Sequence, residues 1–417
     1  MFGLRTIVVA LLVFLMETDP SSSLHAPSFS LNHAKSYLGS SKRWARTTVS
    51  WATGEAKPIL GPWPAAYPAK DYCSKCGLCD TSFVANVTTS CAFIGDGMAR
   101  AVQFEEAVHG RSRLLRSAFD DDGPTNPKCS DTTLGPGRGS ATVDGPLDEA
   151  RFGVLEEILY ARAKPSVVGS QWSGVVTTIC QSLMETGAVD AVALVAADPK
   201  DALEPLPILA RTPSDLLRGR GVKPSLAPSL ALLNEVKADP SIKRLLFCGV
   251  GCSVQALRAV QADLGLDELY VLGTHCVDNS PSVNATKTFL NAAGIDTQAV
   301  EAAGDGLAYE FMADFKVHVK RSSPSFSSSS SPSSPSFFSS EMQDSGVEQN
   351  DSYEKIPYFC LPGTVAEVAI APSCLTCFDY TNGLADLVVG YMGAPLEGGS
   401  EMTSQWQQVR YHIICCN

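Results

Sequence analysis

Cys73-Ser-Lys-Cys76-Gly-Leu-Cys79, with Cys91 twelve residues on, is the densest chemistry in the chain. Three cysteines at spacing three cannot pair among themselves without strain, because a disulfide fixes both the Cα separation and the Cβ directions. They can all face one centre. A C-x2-C-x2-C run wraps three corners of a four-iron, four-sulfur cube, the fourth thiolate coming from elsewhere in the chain. A zinc knuckle is the competing reading and asks for a compact fourth Cys or His, commonly as a second CxxC or an HxxxH. No HxxxH occurs, and the six histidines are scattered. Core or disulfide-bonded cysteines are the third possibility. The remaining cysteines also group, as Cys248, Cys252 and Cys276 and as Cys374 and Cys377, which favours metal over evenly spread disulfides.

The elements that must carry these thiols follow from hydrophobic period. Arg244 to Gly249 reads as a buried strand, Ser253 to Leu264 as a helix with Val254, Leu257, Val260 and Leu264 on one face, and Leu269 to Gly273 as a second strand. Strand, helix and strand make a parallel crossover, which puts Cys252 and Cys276 at the carboxyl ends of adjacent strands, where open α/β sheets hold ligands. Gly249-Val-Gly251 is no dinucleotide fingerprint, since Val254 holds the third glycine position and Thr274-His275-Cys276 follows the second strand where an acid for a ribose is needed. Pro372-Ser-Cys374-Leu-Thr-Cys377 alone suits a redox disulfide; joined to Cys252 and Cys276 it completes four thiolates.

Elsewhere the spacing predicts a helix over 151–162 with Phe152, Leu155 and Leu159 inward, a helix opening at Ser173-Gly-Val-Val-Thr-Thr178 and running to about Glu185, and a strand over 189–197. The hydroxyl-bearing start at Ser173, Gly174 and Thr177 suits a flavin phosphate and equally a simple cap. A helix is expected near 284–293 and a strand near 309–319. Ser322 to Ser340 is nearly all Ser, Pro and Phe and cannot bury enough apolar surface to offset its ordering entropy, so a disordered insertion is expected there. Gly135-Pro-Gly-Arg-Gly139 follows no apolar strand and is weak as a phosphate loop.

With 417 residues, 45% apolar and 18% charged, the chain suits two or three globular parts. A net charge of −12 with no basic cluster argues against nucleic acid. The apolar run Ile7 to Met16 has signal-peptide length, and Ser21 to Gly54 has no acidic residue but many hydroxyls and Lys35, Lys42, Arg43 and Arg46. Residues 1–54 thus resemble a bipartite presequence for a secondary plastid, with no stable transmembrane span after processing. Plain secretion is the alternative, with sequons at Asn86 and Asn284; exposed iron–sulfur thiolates would not persist in an oxidising lumen.

Cys73 to Cys79, Cys91-Ala-Phe-Ile-Gly-Asp-Gly-Met98, Leu246 to Arg258, Tyr270 to Asn279 and Ala371 to Asn382 resemble, in order, the motifs of the 7-hydroxymethyl chlorophyll a reductases. That family stands with the ferredoxin-dependent divinyl chlorophyllide 8-vinyl reductases and, further off, the flavin-bearing β subunit of deazaflavin-reducing hydrogenases. The resemblance implies FAD, two 4Fe-4S clusters, ferredoxin as donor and a homo-oligomer acting on a chlorophyll-type tetrapyrrole. It implies Cys73, Cys76, Cys79 and Cys91 as ligands of one cluster and Cys252, Cys276, Cys374 and Cys377 as ligands of the other. Ser173, Gly174, Thr177, Lys223, Gly251 and Gln255 would touch the flavin, and His275 or Asp379 would give the proton. Lys75 and Arg100 are candidates for a basic patch toward ferredoxin, and Cys129, Cys180, Cys248 and Cys360 look structural. The Ser-rich insertion departs from the family pattern, and a helical region that the pattern places after Tyr391-Met-Gly393 has no counterpart before Asn417.

The organisation expected is a presequence at 1–54, an N-terminal ferredoxin-like iron–sulfur segment at 55–150 and a flavin and iron–sulfur domain at 151–320 and 351–417, interrupted by the insertion at 321–350. Its fold class is α/β with α+β elements, a mixed flavin-binding sheet containing a βαβ crossover.

Overall fold

The computed structural model describes residues 16–18, 72–95, 97–113, 149, 152–302, 306–311, 316–322, 353–357, 363–391 and 407–411. Its main sheet gathers β1 (Met16–Thr18), β2 (Glu157–Ala163), β3 (Ala191–Ala197), β4 (Pro205–Ala210), β5 (Arg244–Gly249), β6 (Glu268–Thr274), β10 (Leu387–Gly390) and β11 (Gln407–Tyr411) in the order β1-β2-β11-β10-β6-β5-β3-β4. The four central strands, β10, β6, β5 and β3, run parallel, and the flanking pairs are antiparallel. A smaller antiparallel sheet joins β7 (Gly306–Phe311), β8 (Lys316–Ser322) and β9 (Tyr353–Pro357). The mixed α/β class expected from the sequence is what forms.

Alternation along the central strands divides the core. Val192, Leu194, Leu246, Leu272, Leu387 and Val389 face one side, where α2 (Val175–Glu185) lays down Val175, Ile179, Cys180 and Leu183. Ala191, Ala193, Leu245, Phe247, Val271 and Val388 face the other, covered by Val254, Leu257 and Val260 of α3 (Gly251–Val260) and by Leu78, Phe83 and Phe104 of the N-terminal cysteine segment, the last on α1 (Gly97–His109). Parallel strands covered on both faces read as near-continuous apolar runs, which is why β5 and β6 were visible in the sequence. The predicted helix 253–264 is realised as α3 followed by a 3₁₀ turn over Gln261–Leu264.

Two expectations fail. Residues 157–163 form β2 instead of the end of a helix, pairing Leu159 with Val409 and Ala161 with Gln407; the helix-like spacing of Phe152, Leu155 and Leu159 is outweighed by a strand partner some 250 positions away, a tertiary pairing that overrides local pattern. The single strand near 309–319 is a hairpin, β7 and β8, with Tyr309 opposite Val319. α4 (Val283–Ala292) forms as read, with Ser282 capping it through Ala285 N. The Ser-rich insertion and most of the presequence lie outside the described residues.

The buried ion pair Arg258–Asp386, 2.7 Å apart, ties α3 to the segment before β10; Arg258 Nε also donates to Leu384 O at 3.0 Å, and Asp386 Oδ2 accepts from Val271 N at 2.7 Å. Helix, central strand and cysteine-bearing loop are thereby fixed to one another.

Candidate active site and thiol quartets

A cavity of about 360 Å3 opens at the carboxyl ends of β5, β6 and β10, where an open α/β sheet offers ligand space, and within the roughly 300–1,000 Å3 of small-molecule sites. Gly249, Cys252, His275, Cys276 and Gly390 form its sheet side. Opposite them stand Trp172, Gly174 and Thr177 at the start of α2 and the 219–223 loop. Gly174 is left-handed (φ 87), and a Cβ there would lie 2.7 Å from that of Val167, so only glycine lets the chain turn into α2 this tightly. Trp172 shares the left-handed conformation (φ 55) and sets its ring edge-on to Tyr391, 5.6 Å between centroids; Tyr391 in turn stands edge-on to His275 at 6.3 Å. These two aromatic walls were not anticipated from the sequence. The only prior sign of Trp172 was its place inside the small-residue run Gly169 to Gly174.

His275 is the catalytic candidate that borders the cavity. Burial holds its pKa down at about 4, so the imidazole is neutral at physiological pH, and Nδ1 has no hydrogen-bond partner among the described residues. Asp379 is not on the cavity wall. Its Oδ1 accepts from Gly383 N at 2.9 Å, its Oδ2 crowds Gly251 at the start of α3, and burial raises its pKa against the pull of Arg410 and Arg113. It stabilises the loop from Cys377 to Asn382.

The expected flavin contacts separate in the same way. Gly174, Thr177 and Lys223 border the cavity. Lys223 directs its ammonium at three carbonyls, those of Gly219, Arg220 and Gly221 at 2.7, 2.8 and 3.0 Å, which uses all its donors. Burial, then Arg220, lowers its pKa to about 7. Ser173 is fully buried with Oγ accepting from Ala163 N at 3.0 Å, and Gln255 is fully buried on α3 with its amide donating to Gly97 O. Gly251 lies behind the wall, against Asp379. A side chain at a helix start can face ligand or core, and residue type does not say which.

The eight cysteines fall into two groups of four whose members act on one another electrostatically. Cys76, pushed up to about 11 chiefly by burial, also feels Cys91, Cys73 and Cys79, and Cys91 feels Cys73 and Cys79. Cys252 is raised by burial, then by Cys377, Cys76 and Cys374; Cys276 by burial, then by Cys252, Cys374 and Cys377. Cys377 is pushed up to about 11, by burial first and by Cys374 among its neighbours. All eight are free thiols. Asn279 stitches the second quartet: Nδ2 donates to Cys276 Sγ at 3.3 Å, and its carbonyl accepts from Ala371 N at 2.9 Å, three residues before Cys374. In the first, Lys75 N donates to Cys73 Sγ at 3.2 Å and Phe93 N to Cys91 Sγ at 3.4 Å. The two groups also feel one another: Cys76 adds to the upward shift of Cys252, and a hydrogen bond from Ser74 opposes it.

No three His, Cys, Asp or Glu side chains among the described residues converge on a single metal ion. One tetrahedral zinc, with bonds near 2.3 Å, would draw its thiolates to about 3.8 Å from each other, whereas in a cubane each thiolate takes a different iron and the set is wider. Donor type, number and N–H···S support fit a cubane in both quartets. Buried thiols this close resist ionisation until a cation offsets their charge.

Lys75 and Arg100 are engaged with the protein. Lys75 Nζ donates to Pro281 O at 2.5 Å, and Arg100 to Cys91 O at 2.8 Å, so both brace the first quartet. Cys180 and Cys248 lie outside the quartets; Cys129 and Cys360 fall outside the described residues. No helix among the described residues is long and apolar enough to cross a membrane.

The N-terminal model of the coenzyme F420 hydrogenase/dehydrogenase beta subunit matches residues 158–234, and the C-terminal model of that subunit matches residues 242–410. The second match contains Cys252, Cys276, Cys374 and Cys377; the first quartet precedes both. Among curated relatives, the chloroplastic 7-hydroxymethyl chlorophyll a reductase of Oryza sativa subsp. japonica is 44% identical over 348 residues, 84% of this chain and 60% of that protein. An uncharacterized protein of Nostoc sp. is 38% identical over 328 residues, 79% of this chain and 66% of its own length. The coenzyme F420 hydrogenase subunit beta of Methanosarcina barkeri is 22% identical over 233 residues, 54% of this chain and 66% of that subunit. The chain spans about three fifths to two thirds of the length of these relatives. With the two models covering more than half of its residues, the chain belongs to the coenzyme F420 hydrogenase/dehydrogenase beta subunit family.

Proposed function

We propose that this chain is a ferredoxin-dependent iron–sulfur flavoprotein that reduces 7-hydroxymethyl chlorophyll a to chlorophyll a in a plastid. The observation that carries the reading is that Cys252 and Cys276 of the second group border the cavity while Cys252 also feels the charge of Cys76 in the first. Bound in these places, two 4Fe-4S clusters and FAD would store single electrons and pair them for a two-electron reduction.

The protein's own residues supply the rest. Cys73 and Cys79 are exposed, so the first quartet faces an incoming donor, while Cys252 and Cys276 face the cavity. Gly174 and Thr177 would hold the flavin end, and Trp172 and Tyr391 border the space with flat aromatic surface suited to a planar macrocycle. Replacing a hydroxymethyl group by methyl expels water, so a proton must reach the departing oxygen. His275 borders the cavity and is assigned, in preference to Asp379, which does not reach it, as the relay that passes a solvent proton to the departing oxygen, one nitrogen of its neutral ring gaining a proton as the other gives one up. The substrate and the plastid come from the resemblance to the Oryza sativa enzyme; the donor and a homo-oligomeric state are what the motif resemblance implies.

Residues 1–54 are assigned as a two-part presequence for a secondary plastid, 55–150 as the segment carrying the first quartet, and 151–320 with 351–417 as the flavin and iron–sulfur domain around the 321–350 insertion. Cleavage after residue 54 would remove β1 and leave β2 as the sheet edge.

Anaerobic purification followed by iron, sulfide and flavin determination tests the cofactors, with eight irons and one FAD per chain expected. A colourless protein with disulfide-bonded cysteines would overturn the reading. Incubation with reduced ferredoxin and either 7-hydroxymethyl chlorophyll a or divinyl chlorophyllide then tests the substrate; turnover of the vinyl compound alone would reassign the chain as an 8-vinyl reductase.

A further inference from the structure

The cavity wall holds two thiols that neither quartet uses. Cys180, on the inner face of α2, is 3% exposed, and Cys248, one residue before the end of β5, is half-buried. Their sulfurs are 3.4 Å apart, sharing one S–H···S contact across 68 positions of sequence. Both border the cavity, beside Thr177 and Gly249.

We propose that Cys180 and Cys248 are a redox-active dithiol that a low-molecular-weight disulfide entering the cavity oxidises to an intramolecular disulfide. A disulfide bond is about 2.05 Å long, so the sulfurs must close by roughly 1.4 Å, a movement within reach of side-chain rotation and a slight shift of α2. Cys248 is the less buried residue of the two and attacks first; Cys180, fully buried, resolves.

The exchange balances without a metal or flavin. Cys248 gives up its proton, its sulfur bonds to one sulfur of R–S–S–R, and the S–S bond of the reagent breaks, releasing R–S⁻, which is protonated to R–SH. Cys180 then loses its proton and attacks Cys248 Sγ of the mixed disulfide, expelling the second R–S⁻, likewise protonated. The two cysteines lose two electrons and two protons, and the small disulfide gains both as two thiols. The bond formed would tie α2, which carries Thr177, to β5 directly beneath the cavity. The hydrogen bond it shares with Cys180, with burial adding to it, pushes the Cys248 thiol up, so the pair rests as two neutral thiols and exchange quickens as pH rises.

The test uses the full chain with its bound groups, purified anaerobically and treated with excess 2-hydroxyethyl disulfide, then alkylated and mapped by peptide mass. The expected product is a peptide carrying Cys180 to Cys248 cross-linked, lighter by two hydrogens, reversed by dithiothreitol and formed faster at pH 9 than at pH 7. Cys180→Ser should leave a stable mercaptoethanol adduct on Cys248, and Cys248→Ser should leave Cys180 unmodified. If either variant fails to fold, the mapping of the unaltered protein decides alone. Recovery of both residues as alkylated free thiols, or an unresolved adduct on Cys248 in the unaltered protein, would overturn the proposal.

Discussion

Gly390, the last residue of β10, lies so close to His275 that a Cβ there would stand 1.9 Å from Nδ1 and 2.1 Å from Cγ of the imidazole, far inside van der Waals contact. The absent side chain is thus part of how His275 is placed. Gly390→Ala must push the ring from its position over the strand end, and general acid catalysis contributes on the order of 100-fold or more. Turnover should fall by about that factor while iron and flavin content stay unchanged; overpacking adds about 1–3 kcal/mol of destabilisation. His275→Gln should show the same loss without the overpacking. Full turnover in both variants would remove His275 as the proton donor.

Asp386→Ala removes one partner from the Arg258–Asp386 pair, whose side chains are 5% and 1% exposed. The guanidinium would stay buried without its carboxylate, and Val271 N would lose its acceptor. Breaking a buried pair in this way costs about 3–5 kcal/mol. The urea midpoint should fall accordingly. Because the pair anchors the segment following Cys377, iron should be lost from the second quartet before the first. Equal loss from both would mean that the anchor is not specific to that loop.

Stability should decline as pH falls below about 6.5, the unfolded value for histidine. Burial lowers His275 to about 4 and His109 to about 3, the latter with Nε2 against Gly383 O at 2.8 Å. Between those values and 6.5 the unfolded chain binds protons that the folded chain refuses, so their contribution is complete above 6.5 and is lost as the solution acidifies. Asp379 works in the opposite sense, since burial raises its carboxyl and favours the folded state at lower pH. Removing both rings isolates the histidines' part of the slope. Urea midpoints at pH 7 and pH 5 should differ, and His109→Asn with His275→Asn should flatten the difference.

What the sequence disclosed was the chemistry that repeats locally. β5, α3 and β6 were legible because Val254, Leu257 and Val260 keep helical period between two buried apolar runs. The first four cysteines were legible as one group because three of them recur at spacing three. β2 was hidden because its identity depends on β11, and the cavity walls were hidden because Trp172 and Tyr391 come together only when α2 meets the end of β10. Ser173 looked like a ligand contact by type and Gln255 by resemblance, yet the fold turns their side chains to Ala163 N and Gly97 O. The pair Cys180 and Cys248 is silent in one dimension, since nothing local links a mid-helix cysteine to one in a strand.

The two quartets differ in position, and that difference separates their roles experimentally. Cys73 is exposed at the protein surface, whereas Cys252 is on the cavity wall in electrostatic contact with Cys377, Cys374 and Cys76. Cys73→Ser should therefore lose close to half the iron, abolish reduction by ferredoxin and leave the flavin absorption spectrum unchanged. Cys252→Ser should also lose close to half the iron, but it should shift the flavin spectrum, because the group beside the flavin has changed. Electron paramagnetic resonance of the dithionite-reduced protein should show spin–spin broadening between the two proposed clusters in the unaltered chain, since Cys76 of one group acts electrostatically on Cys252 of the other, and a single unbroadened signal in either variant. An unperturbed flavin spectrum in Cys252→Ser, with the shift appearing instead in Cys73→Ser, would reverse the order of electron flow assigned to the two quartets.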